Sequence, residues 1–400
     1  MKFKLYYFLI IAITINIVST IFIGVLGEDV PHISMIRVTI FTGIFAVYFS
    51  KYYKNELIHN FTAIYVLYML FLVLISSDPM RSLDLTMRFV FSLLFLPIAY
   101  RLVNNKYKYQ QLLTFYFYSL ISILLFLVYA NYFQIGESVY AAGTIYFGLN
   151  ENITKPMAIL LIVSPLLLLK SPINRVFVII VLIAVLIIVM IGLKRGAFLT
   201  ILAAFCIYMI YTNRKRFVLA SAFVTFLALI MAYPLYQDVL NERLDRRQER
   251  IKGLATGETA IETEMRYLET RMVQNAFLEG NLKHKLIGSE IFNDRLYFRV
   301  DRMLHVDYNI ILNGKGLLGL LLYFGLYFVI YLKFRRVARN VNDVYIVRFV
   351  IPVFMAMLIA PLVMGISGTV YNITIRSLVM IFLGGTLGFI EREGKKQKQQ

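Results

Sequence analysis

The stretch Phe177-Val-Ile-Ile-Val-Leu-Ile-Ala-Val-Leu-Ile-Ile-Val-Met-Ile191 carries no charge and no polar side chain. With its flanks it approaches the roughly 20 residues that a helix needs to cross the hydrocarbon core of a bilayer. The run Leu317-Leu-Gly-Leu-Leu-Leu-Tyr-Phe-Gly-Leu-Tyr-Phe-Val-Ile-Tyr-Leu332 has the same character. Backbone N–H and C=O groups in lipid must be paired within the protein, so only helices and closed barrels cross a membrane. Neither run alternates apolar with polar residues as barrel strands do. A helical membrane bundle follows.

Outward from these two runs, apolar segments recur near 5–26, 35–50, 61–77, 89–103, 111–130, 156–169, 174–192, 197–212, 217–234, 316–332, 346–367 and 373–390. The expected fold is an all-α polytopic membrane protein of about twelve spans, with one large helical loop between the ninth and tenth. The organisation reads as an N-terminal bundle over 1–234, the loop over 235–305, C-terminal spans over 306–390 and a basic tail over 391–400. Across the 400 residues, 60% hydrophobic against 16% charged leaves too little polar surface to cover a soluble fold. Met1 to Lys4 followed by an apolar stretch to Leu26 reads as an uncleaved signal anchor, the first span. Cys206 is the single cysteine, so an intramolecular disulfide and a thiolate metal cluster are both excluded.

Basic residues concentrate in every second connection: Lys2/Lys4, Lys51/Lys54, Arg101/Lys106/Lys108, Lys170/Arg175, Arg214/Lys215/Arg216, Lys333/Arg335/Arg336/Arg339 and Arg392/Lys395/Lys396/Lys398. Short loops rich in Lys and Arg stay cytoplasmic, which puts both termini inside. The formal net charge of +18 is thereby explained by loops facing anionic membrane lipids, and nucleic acid is not an expected partner. The loop 235–305 differs, with 12 Lys/Arg and 12 Asp/Glu and hence no net charge. Arg243, Arg246, Arg247 and Arg250 recur at helical spacing near Glu242 and Asp245, a solvated salt-bridged helix or a ligand site. A second helix near Glu264 to Glu279 sets Met265, Leu268, Met272 and Ala276 on an apolar stripe suited to packing on the bundle or on the membrane surface.

Four histidines occur, His32, His59, His284 and His305. His305 closes the loop just before the chain re-enters the membrane, in the run His305-Val-Asp-Tyr-Asn-Ile-Ile-Leu-Asn-Gly-Lys-Gly316. An imidazole there can act as a general base at the membrane surface, or it can simply cap a helix. Lys194-Arg195-Gly196-Ala197 interrupts two apolar spans at their outer end. A guanidinium in that position either grips a phosphate bidentately or anchors the span ends. Arg266 offers the same choice between phosphate and pairing with Glu262 or Glu269, and Arg376 between phosphate and snorkelling to the outer interface. The scattered outer acids Glu28/Asp29 and Asp78/Asp84 make a poor divalent-cation set. No phosphate loop, H-E-x-x-H or G-x-S-x-G occurs, so ATP hydrolysis, zinc proteolysis and serine-hydrolase chemistry lack their parts.

The Lys194-Arg195-Gly196-Ala197 step, the loop bearing Arg266-Tyr-Leu-Glu269, and His305 followed by Gly316 and Gly319 together resemble the O-antigen ligase and O-antigen polymerase superfamily of GT-C-type membrane glycosyltransferases. The match covers roughly residues 174–335. Lys194 stands where that family commonly has serine, Val306 where asparagine often follows the histidine, and Gly288 alone remains of a glycine-rich stretch. The resemblance implies an inner-membrane enzyme with its active site facing the periplasm, needing no metal or other cofactor. Its donor would be an undecaprenyl-diphosphate-linked oligosaccharide and its acceptor a glycan, as in a polymerase, or lipid A-core, as in a ligase; a chain-length regulator is an implied partner. Arg195 and Arg266 would hold the diphosphate, assisted by Lys194 and Arg376, and His305 would take the acceptor proton. Two other classes compete: a flippase for lipid-linked oligosaccharides, which has no need of a long outer loop, and a glycosyltransferase whose acids are Glu28 and Asp29.

Overall fold

The computed structural model describes residues 46–134, 151–170, 173–191, 195–212, 265–298, 304–369 and 372–399, with isolated positions at 7, 43 and between 216 and 245. The expected spans 5–26 and 217–234, most of 35–50, the Arg243/Arg246/Arg247/Arg250 stripe, Lys194 and Glu28/Asp29 lie outside the described residues. Among the described residues the protein is all helical. In chain order the helices are α1 (Leu57–Leu74), α2 (Pro79–Leu102), α3 (Lys106–Tyr132), α4 (Glu151–Ile162), α5 (Ser164–Lys170), α6 (Arg175–Ile191), α7 (Arg195–Tyr211), α8 (Met265–Glu279), α9 (Leu282–Ile287), α10 (Asp294–Phe298), α11 (Asp307–Ala338), α12 (Ile351–Met364) and α13 (Ile373–Gln397). Six are long and apolar enough to cross a membrane: α1, α2, α3, α11, α13, and α12 with its flanking turns from Ile346 to Ser367. Shorter apolar helices occur over Arg175–Val189 and Gly196–Tyr211.

Hydropathy locates the apolar middle of each span, while capping chemistry sets its ends. Asp78 caps α2 by accepting the Arg81 N–H at 3.2 Å, with Pro79 in the first turn. The helix therefore starts well before residue 89 and carries Asp84 and Arg88, which pair at 2.6 Å. Asp78 and Asp84 thus each have a local partner on α2. Asn105 caps α3 and Asn372 caps α13 in the same way. The segment 156–169, expected as one span, is two helices broken at Val163, just before Pro165, which brings no N–H donor. Residues 391–400, expected as a tail, continue α13 as helix to Gln397.

The N- and C-terminal parts form one bundle around α13, whose apolar window is entirely buried. Gly384 and Gly388, one turn apart, let α13 lie backbone against backbone on α2, where a β-carbon would overlap the carbonyl oxygens of Leu96 and Tyr100. Facing outward, Leu67, Leu74, Leu321 and Phe328 expose large apolar side chains in the manner of a lipid-facing surface. At one end, Glu56 and Glu391 gather cations from different helices: Arg101 pairs with Glu56 at 2.8 Å, and Lys333 and Lys395 with Glu391 at 3.2 and 2.8 Å. Basic clusters that the charge pattern assigns to one side therefore share one end of the bundle.

At the other end, the segment 282–294 enters between α2 and α11. Glu290 accepts from Ser76 Oγ and the Ser77 N–H at 2.8 and 3.1 Å, and Ser82 Oγ donates to the Ile291 carbonyl at 2.9 Å. Opposite it, α11 breaks at Gly316, whose φ of +62° only glycine adopts readily. Gly288, at φ +83°, crosses this break so closely that a β-carbon there would stand 2.5 Å from Lys315 N. Ser289 N–H donates to the Asn313 carbonyl at 2.8 Å, and Asn313 Nδ2 to Asp294 at 3.0 Å. The outer part of α11, from Asp307 to Lys315, is thus a polar helical piece buried by the loop. The inner part, from Leu317, is a membrane span.

Candidate active site

The site forms where four elements meet the turn Ser367–Thr369 at the end of α12. From α11, Asp307 Oδ1 accepts the Thr369 N–H at 2.5 Å and its second oxygen accepts from the Thr369 hydroxyl. From α4, the Lys155 amino group donates to the carbonyls of Ser367 and Gly368 at 3.0 and 2.5 Å, satisfying carbonyls that the helix end leaves open. From α7, Gly196 packs so tightly that a β-carbon would overlap Ser367 Oγ. From α13, Arg376 Nη1 donates to the Thr369 carbonyl at 3.4 Å.

His305 is gripped on both sides of its backbone. Its N–H donates to Glu269 Oε2 at 3.0 Å, and its carbonyl lies against Gly368, which has φ +84° and no room for a β-carbon. Glu269 Oε1 stands 3.3 Å from His305 Nδ1, so one carboxylate hydrogen-bonds the main chain and lies at ion-pair distance from the ring of the same residue. Glu269 is buried while the His305 side chain keeps 33% exposure, leaving the ring accessible. Beside this pair, Asn309 Nδ2 donates to Thr270 Oγ1 at 2.9 Å, a second stitch between α8 and α11.

These contacts decide between the two expected placements of α8. The helix is present, Leu268 and Met272 of its apolar stripe are exposed rather than packed on the bundle, and Glu269 and Val273 face the bundle. The polar grip on His305 selects the buried face. Arg266 is half-buried on the same helix, one turn before Glu269. The expectation for Arg376 is corrected. It does not snorkel to the interface: it is 2% exposed, its Nε donates to Ser92 Oγ at 3.1 Å, and its guanidinium carbon lies 4.4 Å from the centre of the Phe89 ring. Its Nη2 finds no hydrogen-bond acceptor among the described residues.

Lys315 joins the same ring. Its amino group is fully buried, 3.9 Å from the Phe89 centroid and 4.3 Å from that of Phe292, with Met69 Sδ at 3.6 Å. Phe292 adopts φ +56°, unusual for a bulky residue, as it covers this amine. Among the described residues no carboxylate lies within ion-pair distance of Lys315 or Arg376. Two cations, Lys315 and Arg376, thus share the Phe89 ring.

Of the residues expected from sequence, His305, Arg376 and the first residue of α7, Arg195, are brought to one turn, with Arg266 nearby on α8. The Arg195 side chain and Lys194 lie outside the described residues. Glu269, Asp307, Lys155 and Lys315 were not expected in the site. The sequence signal for the last three was available: a charged side chain inside an apolar segment needs a partner or a use. His284, outside the site in α9, is capped by Asn281, and partial burial lowers its pKa below the usual 6.5. Comparison with protein-family models and with curated proteins finds no match.

Proposed function

We propose that the protein is a bacterial inner-membrane glycosyltransferase that moves a glycan from an undecaprenyl-diphosphate-linked donor to an acceptor sugar hydroxyl on the periplasmic side, as a surface-polysaccharide polymerase. What supports this reading above all is the imidazole of His305: a buried carboxylate accepts the residue's backbone N–H and lies beside the ring, at the same turn to which Arg376 donates, and Arg376 Nη2 has no hydrogen-bond acceptor among the described residues. An imidazole so held suits proton abstraction from a hydroxyl. Guanidinium groups in a partly water-excluded setting suit the charge that develops on a departing diphosphate.

In the proposed displacement the acceptor oxygen attacks the anomeric carbon and inverts it. The bond from that carbon to the diphosphate oxygen breaks with its electron pair on the diphosphate, and the hydroxyl proton passes to His305. Arg376 provides N–H groups toward the diphosphate, with Arg195, Arg266 and Lys194 as further ligands on the loop side. In this reading both termini are cytoplasmic, and the loop 235–305 covers the periplasmic mouth. The test is a purified-protein assay with labelled lipid-linked repeat units and no other acceptor. Chain elongation by the native protein, lost in His305→Ala at unchanged donor binding, is the expected result. No transfer by the native protein overturns the reading, full activity of His305→Ala overturns the role of His305 as base, and transfer that occurs only when lipid A-core is added would make the enzyme a ligase. Arg195→Lys should rescue little over Arg195→Ala, because a point charge lacks the planar fork.

A further inference from the structure

We infer that Glu269 is the positioning residue that fixes the ring and tautomer of His305; the inference rests on the transferase reading above. Glu269 lies 36 residues before its partner and reaches it from a different helix. Its two oxygens divide the work: Oε2 holds the His305 N–H at 3.0 Å, and Oε1 faces Nδ1 at 3.3 Å. A carboxylate beside Nδ1 favours the tautomer with the proton there, which leaves the lone pair on Nε2, across the ring. Nε2 is then the atom that receives the acceptor hydroxyl proton. As the proton arrives, the imidazole becomes a cation facing Glu269, and the carboxylate stabilises it without being protonated itself.

A clasp alone would not call for this residue. The α8–α11 contact already has a neutral stitch in Thr270–Asn309. The 7% exposure of Glu269 beside a half-exposed imidazole fits an orienting acid behind an accessible base. His305 is further fixed by its carbonyl against Gly368 and by Asp307 on Thr369, so its ring is the part left for Glu269 to orient.

The experiment uses the full-length purified protein with Glu269→Gln and Glu269→Asp. Glutamine keeps an oxygen for the His305 N–H but can present N–H to Nδ1, which enforces the opposite tautomer. Expected for Glu269→Gln is a fall in kcat of roughly 100-fold or more, by analogy with tautomer errors in catalytic triads, with donor KM and the unfolding midpoint unchanged. Glu269→Asp, which keeps the charge, should retain more activity than Gln. A Gln variant as active as wild type, or one at least as active as Asp, overturns the inference. A readout independent of transfer is the rate at which diethylpyrocarbonate modifies His305, followed by peptide mass spectrometry with His284 as internal control. It should slow in Glu269→Gln while His284 is unaffected; an unchanged His305 rate overturns the orienting role. If that rate slows but the native protein transfers no glycan, the transferase reading fails and the orienting contact stands.

Discussion

A methyl group at position 368 would have to occupy the space of the His305 carbonyl oxygen, and the backbone there, at φ +84° and ψ +120°, is closed to residues with a β-carbon. Gly368→Ala must therefore move either the turn or the histidine. We expect a loss of about 1–3 kcal/mol from the forbidden backbone alone, seen as a lower thermal midpoint, together with loss of glycan transfer. Wild-type behaviour in both assays would show that His305 is not held by this contact. Lys315 poses the opposite question. Its amine gains from aromatic faces and a thioether, but it has no carboxylate at ion-pair distance among the described residues. Replacing a buried charge by a well-packed apolar residue of similar volume is often neutral or stabilising. Lys315→Met should accordingly keep or raise the unfolding midpoint while transfer falls, and a destabilised Lys315→Met would mean that the amine serves the fold.

Helix α13 illustrates how packing constrains an element beyond its hydropathy. Gly384 faces the Leu96 carbonyl, which cannot retreat without moving α2, whereas Gly385 faces the Leu112 and Val103 side chains, which can rotate. Gly384→Ala should thus destabilise the bundle by about 1–3 kcal/mol and Gly385→Ala by less, measured by thermal unfolding of the two variants in the same detergent. The cores of α1, α2, α3, α11 and α13 were legible as apolar segments. The outer piece of α11 was not, because Asp307, Asn309, Asn313 and Lys315 read as loop until the segment 282–294 and the Thr369 turn supply their partners. The face of α8 was legible only in part for a related reason: its apolar stripe was visible, but the contact that selects the buried face is a carboxylate whose partner lies outside α8. His305 itself was legible, since its position at the foot of the loop needs no partner to be noticed.

Over the whole molecule, the two ends of the bundle are fastened by different means. At the end bearing the basic clusters, Glu391 draws together Lys333, Lys395 and the Tyr100 hydroxyl, while Glu56 holds Arg101. Glu391→Gln should lower the thermal midpoint yet leave the transfer rate of the folded fraction unchanged, because nothing in that network reaches His305; a specific loss of kcat would contradict this separation. At the opposite end, the fastening sets a schedule for biogenesis. Residues 282–294 emerge from the ribosome before the strip they close upon, since Ser289 and Asp294 both await Asn313, and Gly288 awaits the break at Gly316. The roof over the site is completed from behind, by sequence translated later. A nascent chain arrested before Asn313 should leave 282–294 open to protease, and release of α11 into the bilayer should close it, so that His305 and the segment that covers its end of the bundle are set in place in a single late step.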